Sequence, residues 1–131
     1  MKKIFTLLLL AVTIQTSKAQ VPTWADNVAC IFYTRCTSCH HPGGIAPFSL
    51  IDYINAYVRM PDIQNMVNTG KMPPWPPDHT YQTYAHERVL SQGEIDVINA
   101  WVNGNGPQGN VANAPTPPVP NDRGTHAQGR T

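Results

Sequence analysis

Cys36-Thr37-Ser38-Cys39-His40 is the stretch on which the reading of this 131-residue chain turns. Two thiols three positions apart on one helical turn share a face, so both sulfurs reach one edge of a flat macrocycle. A histidine directly after the second cysteine can turn its imidazole toward a metal at the centre of that macrocycle. The C-x-x-C-H spacing is the one that covalent haem attachment requires, with Cys36 and Cys39 as the thioether positions and His40 as the proximal iron ligand.

Outward from the pentapeptide, end signals mark four helical segments. Thr23 and Asp26 have cap spacing ahead of Val28, Ile31 and Phe32, which predicts a helix from about Trp24 to the motif; Pro42-Gly43-Gly44 then opens a loop. Ser49 and Asp52 repeat the cap spacing, with Phe48 and Tyr53 placed as a hydrophobic staple, and predict a helix that turns Leu50, Ile51, Ile54 and Tyr57 inward. Pro61 suits the first turn of a third helix carrying Ile63, Met66 and Val67, stopped at Gly70. Ser91-Gln92-Gly93-Glu94 is a capping box, Leu90 and Ile95 its staple, and Ile95, Ile98, Trp101 and Val102 an apolar stripe ended by Gly104 and Gly106. No run reads as strand. The expected fold is therefore all-α, a small bundle of about four helices wrapped around one covalently bound haem.

A haem iron held by His40 has a second axial position. Met72, in Gly70-Lys71-Met72-Pro73-Pro74-Trp75-Pro76-Pro77, is the leading candidate, because prolines stiffen the loop and a thioether favours ferrous iron. Met60 and Met66 compete from positions that read as core or filler, and His41, His79, His86 and His126 are the imidazole alternatives; an open position is the remaining one. Trp75 and Trp101 are large enough to cover haem edges, though Trp75 also reads as a partner anchor and Trp101 as core. Lys71, Arg59 and Arg88 are candidates to neutralise propionates, against the plainer reading of solvated surface charges.

The N-terminus has the form of a secretory signal over residues 1–19: Lys2 and Lys3, an apolar run from Ile4 to Ile14, and Ser17-Lys18-Ala19 before Gln20. The apolar run is short for a membrane span, so no span is expected after cleavage; a retained anchor is the alternative. Export agrees with the motif, because covalent haem is attached outside the bacterial cytoplasm, and a periplasmic or otherwise exported location follows. Residues 20–131 keep six basic against eight acidic side chains, a balance that lacks the basic footprint of a nucleic-acid binder. They suffice for one small domain, placed at 20–108. Cys30, the odd thiol of three, sits in Val28-Ala29-Cys30-Ile31-Phe32 and reads as a small buried hydrophobe, with an intermolecular disulfide or reactive thiol as alternatives. Residues 109–131 are rich in Pro, Gly and Asn and read as a disordered tail, extended over Pro115-Thr116-Pro117-Pro118-Val119-Pro120.

The chain resembles a monohaem cytochrome c. More narrowly, Cys36 to Pro47 (C-T-S-C-H-H-P-G-G-I-A-P), Phe48-Ser49-Leu50, Met72-Pro73-Pro74-Trp75 and Leu90 through Trp101 are similar to the bacterial cytochrome-type haem modules found beside copper type II ascorbate-dependent monooxygenase-like or redoxin-like domains. The resemblance covers about residues 28–108. It implies one haem c on Cys36 and Cys39, axial ligands His40 and Met72, first and last helices packed together, and electron transfer with redox partner proteins, not enzymatic turnover. A monomer is the expected state. His41 departs from the basic Arg common at that position, and no second catalytic domain is expected within residues 109–131. Two other classes compete: a haem enzyme or gas sensor with a displaceable sixth ligand, and a small zinc or thiol-redox protein built on Cys30, Cys36, Cys39 and His40.

Overall fold

The computed structural model describes residues 20–74, 81 and 88–119. Among these residues the chain is all-α. An opening π-helical turn, Trp24–Val28, runs into α1 (Ala29–Arg35), followed by α2 (Tyr53–Tyr57), α3 (Met60–Asn68), α4 (Gln92–Asn103) and a 3-10 turn, Val111–Asn113. No strand occurs among the described residues.

The opening turn, α2 and α4 start where a side chain satisfies orphan backbone donors. Thr23 caps the opening turn, its hydroxyl accepting the Asp26 N–H at 3.2 Å. Ser91 caps α4 in a complete capping box, with the Glu94 carboxylate accepting the Ser91 N–H at 2.7 Å. Pro61 lies in the first turn of α3, where its missing N–H leaves no intrahelical bond unmade. The second helix starts later than the sequence predicts: Asp52, not Ser49, is the cap, accepting the Asn55 N–H at 2.9 Å. Ser49 instead closes a local turn by accepting the Ile51 N–H at 3.2 Å, which delays entry into the helix.

The inward face of α2 also differs from the expected one. Leu50 is buried as expected, but Ile54 is 63% exposed and Tyr57 40% exposed, and Ala56 takes the inward position instead. Cys30 is likewise exposed, contrary to the expected buried thiol. The buried side of the first helical segment is set by Trp24, Ala25, Val28, Ala29 and Phe32, and Cys30 falls a further 100° round the helix from Ala29.

The core is aromatic. Trp24, Phe32 and Trp101 are each nearly or fully buried, and the Trp24 ring meets Phe32 edge-on at 5.2 Å and Trp101 at 6.0 Å. The Trp101 indole N–H donates to the Pro107 carbonyl at 3.1 Å, so its polar atom is satisfied inside the core. The opening turn and α4 thus pack together, as the resemblance implies for the first and last helices. Asn68 and Asn99 exchange side-chain hydrogen bonds at 2.8 and 2.9 Å and join α3 to α4.

Gly106 ends the α4 exit at φ 60°, a conformation costly to residues with a Cβ. A Cβ there would also strike the Met60 thioether, which places Met60 in packing. The segment expected to begin the tail carries the Val111–Asn113 turn, held by an Asn113 amide that donates to Asp26 at 2.7 Å. Side-chain hydrogen bonding anchors it, a contribution that composition does not reveal. The remainder of the expected tail, 120–131, and the expected signal, 1–19, lie outside the described residues.

Candidate haem-attachment site

The pentapeptide forms a turn grown from the end of α1. The Phe32 carbonyl accepts the N–H groups of Cys36 (2.8 Å) and Thr37 (3.0 Å), and the Cys36 carbonyl accepts those of Cys39 (3.1 Å) and His40 (3.0 Å). These bonds wind residues 36–40 through one turn, which puts Cys36 and Cys39 on the same side. Thr37 is the buried member, 3% exposed, with its hydroxyl donating to the Tyr33 carbonyl at 3.0 Å. All three cysteines are free thiols, and Cys36 and Cys39 are half-buried. Burial, with the Glu94 carboxylate a further contribution, pushes the Cys36 thiol up to about 12.

His40 is fixed by the loop that follows it. The loop closes through the Ala46 N–H on the Cys39 carbonyl at 3.2 Å and the Leu50 N–H on the His40 carbonyl at 2.9 Å. His40 Nδ1 lies 3.2 Å from the Phe48 carbonyl oxygen. A carbonyl only accepts, so Nδ1 carries the proton and Nε2 is left with its lone pair. Burial pulls the His40 pKa down, against the Phe48 hydrogen bond that raises it, and the positive charge of Arg59 lowers it further. A neutral imidazole with an oriented second nitrogen is the form in which histidine binds a metal.

The Phe48 ring packs on His40, centroids 4.6 Å apart and tilted by 41°. Arg59 lies over the same Phe48 ring, its guanidinium carbon 4.4 Å from the centroid. The sequence predicts Phe48 as a staple residue and gives no sign of the role of its carbonyl, because a backbone acceptor has no side-chain signature.

Cys36, Cys39 and His40 are thus brought together on one turn. Met72 is placed separately, just past α3, where its N–H bonds to the Met66 carbonyl at 3.2 Å and its side chain is 39% exposed. His41 turns back on its own loop, Nδ1 against the Pro42 carbonyl at 2.9 Å. Trp75, His79, His86 and His126 lie outside the described residues. Lys71 and Arg88 are exposed, whereas Arg59 is half-buried.

Among the described residues, no three His, Cys, Asp or Glu side chains converge to hold a bare metal ion. A zinc site on Cys30, Cys36, Cys39 and His40 therefore gains no support, and exposed Cys30 faces away from the core. The donor set does fit haem, whose thioethers sit at the porphyrin edge and need not converge on the iron. No helix among the described residues is long and apolar enough to cross a membrane. No family model matches the chain, and neither a curated protein nor a solved structure matches it.

Proposed function

We propose that this chain is an exported c-type cytochrome carrying single electrons on one covalently held haem. The observation that carries the reading is the His40 ring, its Nδ1–H held by the Phe48 carbonyl so that Nε2 is the free donor, on the same turn as two free thiols. Cys36 and Cys39 would hold the haem through thioether bonds and His40 would ligate its iron. Met72 is the proposed sixth ligand. When bound, the haem supplies one-electron cycling between ferric and ferrous iron.

The protein's own contribution is orientation and dielectric. Closure of the 41–50 loop keeps the imidazole plane fixed, which spares the site reorganisation when charge changes. Ile54 and Val58, one turn apart and both over 60% exposed, are apolar groups that the fold leaves uncovered and that an apolar macrocycle suits. Redox partner proteins would be the donor and acceptor.

Exported, matured protein is expected to show a haem stain that survives denaturing electrophoresis, and its ferric spectrum the weak near-infrared band of thioether–iron ligation. The Met72→Ala variant should lose that band and keep the stain. Colourless protein in which Cys36 and Cys39 both alkylate would refute the reading.

A further inference from the structure

Arg59 makes an unusual contact for a surface cation. It sits between α2 and α3, where its Nη1 donates to the Asn55 carbonyl at 3.1 Å, so the side chain is pinned to the turn below it. Its guanidinium stacks over Phe48 at 4.4 Å, and the Phe48 ring in turn packs on His40 at 4.6 Å. The same Phe48 residue provides the carbonyl that holds His40 Nδ1 at 3.2 Å. Among the described residues Arg59 forms no salt bridge; the one present joins Arg35 to Glu94. Its charge is therefore not neutralised by a carboxylate there, and it lies half-buried, where screening is weaker than in open water.

We propose that Arg59 raises the reduction potential of the iron held by His40 through its positive charge, which the Phe48 ring and the Asn55 carbonyl hold in place. The inference rests on the haem reading above. Reduction adds one electron, taken from an external one-electron donor, and lowers the charge of the centre by one, with no bond made or broken. A fixed positive charge two short contacts away favours the state of lower positive charge and raises the potential.

The test is spectroelectrochemical titration of the matured full-length protein carrying Arg59→Gln, Arg59→Met or Arg59→Lys. The two neutral variants are expected to shift the ferrous-to-ferric ratio at a given applied potential about tenfold toward ferric, a fall of about 59 mV for a one-electron couple. Arg59→Lys should retain most of the potential, because the charge remains. An unmoved potential in coloured Arg59→Gln and Arg59→Met protein overturns the role of Arg59 and leaves the haem reading intact. An equal fall in all three variants assigns the effect to packing and also overturns it. Wild-type protein without covalent haem removes the haem reading and this inference together.

Discussion

Arg35 and Glu94 tie the arm that presents the cysteines to the last helix, and breaking that tie should cost a calculable amount. Arg35 immediately precedes Cys36; its Nε–H donates to Glu94 Oε1 at 2.9 Å, and Nη2 reaches Oε2 at 3.4 Å. The same carboxylate closes the α4 capping box on the Ser91 N–H. Both side chains are partly exposed, at 31% and 20%, so the ion pair itself is worth roughly 0.5–1 kcal/mol, the upper part of the range for surface pairs. Loss of the reciprocal cap bond adds about 0.5–1 kcal/mol. Glu94→Ala should therefore cost about 1–2 kcal/mol, while Glu94→Gln keeps an acceptor for Ser91 and should cost about half as much, the part belonging to the ion pair. Urea denaturation of the single variants, of Arg35→Ala and of the Arg35→Ala/Glu94→Ala double variant gives the coupling directly. A coupling of about 0.5–1 kcal/mol is expected, readable as a midpoint displacement of a few tenths of a molar. Additivity within about 0.3 kcal/mol would show that the two ends are not energetically joined, and would refute this account of how the cysteine-bearing turn is held.

Trp101→Ala should destabilise the chain by about 3–5 kcal/mol, since it empties a fully buried site between Trp24 and Phe32; thermal unfolding measures it. Acid should weaken the fold partly through Glu94. Burial works to raise that carboxyl, but the Ser91 and Arg35 hydrogen bonds outweigh it and hold the carboxyl below its usual 4.5. The unfolded chain then takes up its proton first, so this contribution is full above pH 4.5 and drains as pH falls through the folded value. Glu94→Gln should be less stable than wild type at neutral pH and converge with it in acid; parallel stability curves across that window would contradict the assignment.

How much of this was legible in the sequence depends on the kind of signal. The Ser91 capping box and the Thr23 cap were readable because each rests on side chains at fixed spacing, and both helices start where those residues place them. The fixed spacing of Cys36, Cys39 and His40 likewise predicts that one turn gathers them, as it does. The Ser49 start failed because two cap-competent residues stand three apart, and the choice between them is made by loop closure on His40, a tertiary contact. The inward face differs as well: Ile54 and Tyr57 are exposed and Ala56 is buried. Trp24 as a centre of the core was hidden by its place at a helix start, where the apolar stripe has not yet declared a phase. The hold of Asp26 on Asn113 escaped notice because two polar residues far apart in sequence carry no pattern.

The thiols themselves bear on the choice between haem attachment and thiol-redox chemistry. Disulfide exchange runs through the thiolate, and redox-active C-x-x-C pairs depress the pKa of the attacking cysteine to or below neutrality. Cys36 goes the other way, up to about 12, driven by burial and reinforced by Glu94. A thiol held that far above neutrality carries little thiolate at pH 7. Nor does the local structure offer relief: α1 ends in the Phe32 carbonyl shared by two N–H groups, so the C-terminal end of its dipole faces this residue and disfavours negative charge. A thioether has no proton to lose and carries no charge, so the burial that raises the Cys36 pKa does not oppose a finished sulfur–carbon bond. The environment that raises this thiol is thus compatible with a permanent sulfur–carbon bond, and the positive charge of Arg35, one residue before it, only partly offsets the burial and the Glu94 carboxylate.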